Sequence, residues 1–474
     1  MLPGLFLFQA VMNQTPSNFS LLTAGVIVAG LAVGLLSSSA YGQIAVRNQG
    51  YVPFSEPPID YRGEVNDPVA RLQRRLDAGQ TTLEWEPRNG YLQSVLDHLR
   101  VPISSQTLVF SKTSFQYKKI SPQTPRALYF NDDVYVGKVH DGKAIEIVSF
   151  DPRQGAVFYL LDEPKADRPV FQRAELDCTT CHVAAGTRNV PGVLIRSIYP
   201  TQTGTQAGQT PSYFTGNSSP LAERFGGWYV TGTTGRQVHM GNAVSLSREH
   251  PEQLDREGTN ITDLSGLLDT SPYLTPHSDI VAQLVQAHQT QMHNLITLTN
   301  YRTRIALYEA SQENGEAGQP AASAPATAVS RFYAHAEELV RYLVFADEAP
   351  LQDRVTGTSG FTEEFAALGP RDRRGRSLRE FDLKTRLFRY PVSYLIYTEA
   401  FDSLPEPAKS YVYHRLFEIL TGRDDSDEFS TFKTADRRAA LEILLDTKHD
   451  LPGEWQQIDH HRLAATSAAG RPKR

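Results

Sequence analysis

The 474-residue chain has few residues of several types, and each shortage narrows what the protein can be. Two cysteines are too few for a disulfide scaffold or for an all-cysteine zinc site. The net charge of −6 is mild and lacks the basic excess that nucleic-acid binding requires, so no nucleic-acid partner is expected. No internal repeat is visible. Of the four methionines, only Met240 and Met292 lie beyond the N-terminal region.

Long hydrophobic runs are also scarce, and the one at residues 21–36 is followed by small residues up to Gly42. A run of this kind predicts that residues 1–42 form a signal peptide or an N-terminal membrane anchor. No lysine or arginine precedes it, which departs from the usual basic start of a signal peptide. We expect a periplasmic or extracytoplasmic protein, either free or associated with the inner membrane through this segment.

The two cysteines lie in one stretch, Cys178-Thr179-Thr180-Cys181-His182. C-x-x-C-H is the attachment sequence of haem c. Two thiols at this spacing can each bond one vinyl group of a porphyrin, and the next histidine can supply an axial iron ligand. The chain therefore resembles a large exported bacterial c-type cytochrome of no characterised subfamily. The resemblance implies one haem c, attached through Cys178 and Cys181, with His182 on the iron.

Three other interpretations of the thiol pair stay open. A structural zinc site would need two histidines besides the cysteines, because zinc prefers four nitrogen or sulfur ligands. A thiol–disulfide redox pair usually begins a helix in a βαβ unit, and no such pattern surrounds residues 178–181. A plain structural disulfide between Cys178 and Cys181 is the third.

The sequence predicts an α+β fold in consecutive segments. Residues 43–164 form a β-rich part with short helices, in which four or five β-branched and aromatic runs form an antiparallel meander. Residues 165–260 are a loop-rich segment that carries the haem. Residues 261–463 are mainly helical with a flexible loop near 312–328, and residues 464–474 form a disordered tail.

Beyond the motif, the chain is similar to the loop of class I c-type cytochromes, in which a proline carbonyl accepts a hydrogen bond from the proximal histidine. The resemblance implies this role for Pro191, although the order here is Pro191-Gly192 instead of Gly-Pro. The family usually takes a downstream methionine as its distal ligand, which implies Met240, 58 residues after His182. Its neighbour His239 is an alternative ligand, and a ligand elsewhere or an open sixth position also remains.

Two further features have ordinary structural interpretations. His288 and Met292 recur at helical spacing, and both could face a haem, but the apolar pattern around them favours a place in the core. Four arginines between residues 371 and 376 and a fifth at 379 could neutralise haem propionates or bind an acidic redox partner. A solvated surface loop is the simpler interpretation of that run.

These features favour electron transfer, with the iron held by His182 and a second protein ligand and with a redox partner protein as the other participant. The first alternative is a haem peroxidase or oxygenase with an open sixth iron position, in which His239 and Arg236 would polarise a bound peroxide. The second alternative is a haem sensor or a scaffold subunit of a membrane-associated complex. Known di-haem peroxidases carry two C-x-x-C-H motifs, and this chain carries one.

Overall fold

The computed structural model describes residues 51–256, 258–313, 326–424, 426–429 and 432–456, with the backbone alone described for residues 326–331. The predicted signal peptide or anchor (1–42) and the predicted disordered tail (464–474) lie outside this part. Residues 314–325 of the predicted flexible loop also lie outside it, and the residues on either side of them are helical. None of the described helices combines the length and the hydrophobicity that crossing a membrane requires.

An antiparallel sheet of seven strands confirms the predicted meander and the α+β class. Its strands are β1 (Thr107–Val109), β2 (Arg126–Phe130), β3 (Val134–Lys138), β4 (Ala144–Asp151), β5 (Gly155–Asp162), β6 (Gln172–Arg173) and β9 (Trp228–Tyr229). They lie in the order β6-β5-β4-β3-β2-β1-β9. A separate ribbon pairs β7 (Arg196–Ile198) with β8 (Ser212–Phe214). The five strands of the meander, β1 to β5, are therefore extended by β6 at one edge and by β9 at the other, and both of these strands follow the meander in the sequence.

Helices surround the sheet and dominate the C-terminal half. They are α1 (Pro68–Asp77), α2 (Leu92–Leu99), α3 (Glu175–His182), α4 (Ile280–Glu313), α5 (Ala326–Leu343), α6 (Phe361–Ala367), α7 (Glu399–Asp402), α8 (Glu406–Thr421), α9 (Thr434–Thr447) and α10 (Gly453–Gln456). Gly422 ends α8 in the left-handed conformation (φ 72°), as its position after the apolar run predicts.

The long helix α4 is the centre of the helical part. The sequence predicts an amphipathic helix here, but residues 280–301 are buried without interruption. Many of the polar side chains on α4 hydrogen-bond to loops around the helix, although Gln283 Oε1, Gln291 Oε1 and His293 Nδ1 have no partner among the described residues. Gln289, for example, donates to the Asn131 carbonyl and the Tyr135 hydroxyl. Only the C-terminal end of α4, beyond Tyr301, reaches the surface, so the polar face expected of an amphipathic helix is buried over its first 22 residues.

Two hydrophobic cores lie on opposite faces of the sheet. Helices α1 and α2 cover one face, where alternate strand residues such as Tyr129 and Ile147 are fully buried. The other face packs against α4 and the C-terminal helices. Phe158, Trp228 and Leu284 share this second core, so the segments predicted as 43–164, 165–260 and 261–463 fold together as parts of one compact unit.

Asp67 joins α1 to the sheet and provides a test of this packing. One carboxylate oxygen accepts from the amides of Val69 and Ala70 (2.9 and 3.2 Å), and the other accepts from the Tyr159 hydroxyl (2.6 Å). Asp67→Ala removes the helix cap and leaves a buried hydroxyl unpaired, so we expect a loss of about 2–4 kcal/mol in urea unfolding. Asp77→Ala, at the exposed end of the same helix, is the control and should cost less than about 0.5 kcal/mol. Equal losses in both variants would contradict this account.

Candidate haem-binding site

The C-x-x-C-H motif folds as the second half of α3. Cys178, Cys181 and His182 occupy positions i, i+3 and i+4, which places their side chains on one side of the helix. Cys178 is half-buried, Cys181 is exposed, and both are free thiols. The helix packs against β5, and an ion pair between Arg62 and Glu175 (2.9 Å) holds its first turn. The motif is therefore helical and anchored, with all three functional side chains directed to one side.

The His182 imidazole is held in one orientation. Its Nδ1 atom donates to the carbonyl oxygen of Gly192 (2.9 Å), and its ring packs at 5.0 Å from the Phe158 ring. Burial lowers the pKa of His182 below its ordinary value, so the imidazole is neutral at pH 7. Because the proton is on Nδ1, the lone pair is on Nε2, and no described residue makes a hydrogen bond to that atom. A neutral imidazole with a free Nε2 can ligate iron.

The carbonyl that orients His182 differs from the predicted one by one residue. The Pro191 carbonyl was expected at Nδ1, but it accepts from the amide of Ala156 at the start of β5 (3.2 Å), and the Gly192 carbonyl occupies its expected place. The reversed order of the dipeptide accounts for this shift, because the sheet engages the proline and leaves the next carbonyl to face the histidine. Pro191 therefore anchors the loop to the sheet, and its carbonyl does not make the hydrogen bond to the His182 ring.

Further hydrogen bonds fold the loop after the motif back onto it. The Gly192 amide donates to the His182 carbonyl (3.0 Å), so Gly192 contacts both the backbone and the ring of the histidine. The buried hydroxyl of Thr187 accepts from the Ala184 amide (3.1 Å) and lies 2.9 Å from the Val190 carbonyl. These contacts within the loop fix the position of the Gly192 carbonyl relative to His182.

Beside α3, one face of the sheet is not fully covered. Leu128, Val148 and Leu160 are only half-buried there. The residues before and after each of them in its strand face the opposite side of the sheet and are buried. Leu128 and Val148, like Cys178, pack at the margin of the core that includes Phe158. Half-covered aliphatic side chains next to two thiols and an imidazole suit a flat, apolar group such as a porphyrin.

The charges at this surface belong to Arg126 and Glu146, which form an ion pair on β2 and β4 (2.5 Å). Glu146 helps to raise the pKa of Cys178, and Arg126 helps to lower that of His182, so both charges lie near the motif. The Nε atom of Arg126 is buried and has no hydrogen-bond partner among the described residues. A buried, unpaired guanidinium N–H is a suitable donor for a propionate carboxylate. The residues present therefore fit a covalently attached haem.

The alternatives for the thiol pair fit less well. Burial, followed by the nearby Glu146 carboxylate, raises the pKa of Cys178 to about 11, whereas a redox-active thiol needs a lowered pKa. Helix α3 begins three residues before Cys178, so this thiol lacks the helix N-terminus that usually stabilises a thiolate. For zinc, the described part of the chain brings together no group of three or more histidine, cysteine or acidic side chains.

The two predicted distal ligands are buried and held by local contacts. The sulfur of Met240 lies 3.7 Å from the Ser197 hydroxyl. His239 accepts from the Gly241 amide at Nδ1 (3.0 Å), which places its ring proton on Nε2 and makes that atom unavailable as a ligand. Among the described contacts, none connects either residue to His182 or to the thiols. Met240 as a distal ligand therefore remains a prediction, and the tautomer of His239 disfavours that residue.

The other two sequence features have structural roles. His288 uses both ring nitrogens, toward Asn217 Oδ1 (3.0 Å) and Ser393 Oγ (2.7 Å), and Met292 is fully buried, so the predicted core placement of both is confirmed. Among the arginines of residues 371–379, Arg371, Arg373 and Arg374 are exposed, as the surface-loop interpretation predicts, whereas Arg376 and Arg379 are largely buried. Several pair with Asp372 and with Glu442 and Asp446 on α9. Arg379 is buried over the Phe365 and Tyr394 rings and pairs with Asp132.

The site includes residues that the sequence alone did not suggest. Gly192, Phe158 and Arg126 contact or approach His182, and Asn294 on α4 holds the loop from behind. For Gly192 the sequence does contain a signal: the dipeptide is reversed relative to the cytochrome loop, so the carbonyl one residue after Pro191 is also a candidate acceptor for His182. No local pattern marks Phe158, Arg126 or Asn294, since their proximity to the motif depends on the tertiary fold.

Comparison of the chain with known protein-family models, with curated proteins and with solved structures gives no match. The functional assignment therefore depends on the residues of the site and their chemistry.

Proposed function

We propose that this protein is an exported haem c protein that transfers electrons. One haem is attached through Cys178 and Cys181, and His182 is an axial iron ligand. The observation that carries the proposal is the arrangement of the motif on α3. Both thiols and a neutral imidazole with a free Nε2 lie on one side of a helix that borders a half-covered apolar sheet surface.

Each residue of the site has a defined task in this proposal. His182 donates its Nε2 lone pair, and the Gly192 carbonyl fixes the ring orientation through Nδ1. Leu128, Val148 and Leu160 exclude water from the porphyrin face, which lowers the local dielectric and influences the reduction potential. Arg126 supplies its unpaired Nε–H to a propionate.

The bound haem supplies one-electron chemistry, in which iron alternates between its ferrous and ferric states. Cys181 is exposed, and Leu176 on the same helix is 73% exposed, so the edge of the site is accessible from solvent. We place contact with a redox partner protein at this edge, because electron exchange requires the two centres to approach closely. Export to the periplasm, with membrane association through the N-terminal segment, is part of the same proposal.

One observation favours a second candidate. Within the described residues, no contact connects Met240 or His239 to the motif, and both are held by their own neighbours. An open sixth iron position would make the protein a peroxidase or oxygenase, or a ligand sensor, instead of an electron carrier.

The absorption spectrum of the purified, exported protein, reduced with and without carbon monoxide, tests the proposal. Electron transfer predicts a low-spin, six-coordinate ferrous haem whose spectrum carbon monoxide does not change. A high-spin ferrous haem that binds carbon monoxide would support the second candidate instead. A correctly exported and folded protein without haem absorption would contradict both.

A further inference from the structure

The peptide group that joins Gly192 to Val193 is hydrogen-bonded on both sides. Its carbonyl oxygen, from Gly192, accepts from Nδ1 of His182 (2.9 Å). Its N–H group, from Val193, donates to Oδ1 of Asn294 on α4 (3.1 Å). The C=O and N–H groups of one peptide are conjugated, and successive hydrogen bonds polarise one another. Asn294 therefore acts on the same amide that accepts the proton of His182.

The orientation of the Asn294 amide is fixed by a second bond. Its Nδ2 donates to the Val193 carbonyl (2.7 Å), so only Oδ1 can face the Val193 N–H. Asn294 is fully buried, and a Cβ atom on Gly192 would lie 2.1 Å from Oδ1. The Asn294 side chain is therefore packed directly against this peptide group.

We propose that Asn294 is a positioning residue that sets the donor strength of His182 and thereby the reduction potential of the site. This inference rests on the proposed haem c function. By accepting a hydrogen bond from the Val193 N–H, Asn294 polarises the peptide group, increases the negative charge on the Gly192 oxygen and strengthens its bond to Nδ1–H. A stronger bond makes Nε2 a better donor, which favours the ferric state and lowers the potential.

The test is an equilibrium redox titration of the haem-loaded full chain carrying Asn294→Ala. Loss of the polarising bond should favour the ferrous form about tenfold at a given ambient potential. For a one-electron couple, a tenfold change corresponds to an increase of about 59 mV. Asn294→Leu, which fills the volume with apolar atoms, is the second variant and should shift the potential in the same direction if the alanine variant does not fold.

The matched control is Asn300→Ala. Asn300 is also a buried asparagine of α4, but its Nδ2 donates to the Ser403 carbonyl (3.1 Å). Its loss should reduce stability in a similar way and leave the potential unchanged. If the Asn294 variants keep the wild-type potential, or if Asn300→Ala shifts it equally, the inference fails while the haem c proposal stands. A wild-type protein without covalent haem would overturn both.

Discussion

Replacing Cys178 and Cys181 together by serine is expected to remove all covalently bound haem from the exported chain. Serine hydroxyls do not form thioethers with porphyrin vinyl groups, and these two thiols are the only ones in the chain. Each single variant retains one thiol and should keep a haem through one thioether bond. The mass of the intact, denatured protein shows whether each variant carries a covalently bound haem.

The matched control for the cysteine variants lies between the two thiols. Thr179→Ser and Thr180→Ser change the same helix by one methyl group each and keep both cysteines. Thr180 donates to the Leu176 carbonyl (3.0 Å), and a serine can make the same bond. Both controls should carry one haem. If the double cysteine variant retained a haem through denaturation, attachment would occur elsewhere, and the account of α3 would be wrong.

Met240→Ala is expected to convert a low-spin haem to a high-spin haem that binds carbon monoxide. Among the described residues, the sulfur of Met240 accepts one weak hydrogen bond, from the Ser197 hydroxyl (3.7 Å), so a lone pair stays available to iron. His239→Gln should leave the spectrum unchanged, because the bond from Gly241 keeps the proton on Nε2 of that histidine. The absorption spectra of the reduced variants decide between the two residues.

Met292→Ala is the control for the loss of a buried methionine. Met292 is fully buried on α4 and belongs to the core, so its truncation should cost about 2–5 kcal/mol of stability. The haem spectrum of this variant should be that of the wild type. An unchanged spectrum in Met240→Ala would eliminate this residue as the ligand and leave another ligand or an open sixth position.

The local parts of the fold could be predicted from the sequence. The aspartate-proline pair at residues 67 and 68 marks the start of α1, and the Asp-Gly turn at 141 and 142 marks the connection between β3 and β4. These signals depend on residues close together in the chain. Strand β9 follows the C-x-x-C-H motif in the sequence and pairs with β1, more than a hundred residues earlier. This pairing has no local signature.

The candidate site was predictable to the same extent. The C-x-x-C-H spacing identified both thiols and the histidine, because all three lie within one helical turn and a half. The carbonyl that orients His182 was predicted one residue too early, since the choice depends on the Ala156 amide of a distant strand. Asn294 could not be found, because its contact with Val193 exists only once α4 is buried against the loop.

The most direct measurement uses the tryptic peptide of residues 174–188, which contains the complete motif and no internal lysine or arginine. The exported protein is denatured, extracted with acidic organic solvent to remove non-covalent haem, and digested. The account predicts that this peptide carries the mass of one haem, bonded through both cysteines. A peptide of unmodified mass, from a protein exported by cells that mature other c-type cytochromes, would contradict it.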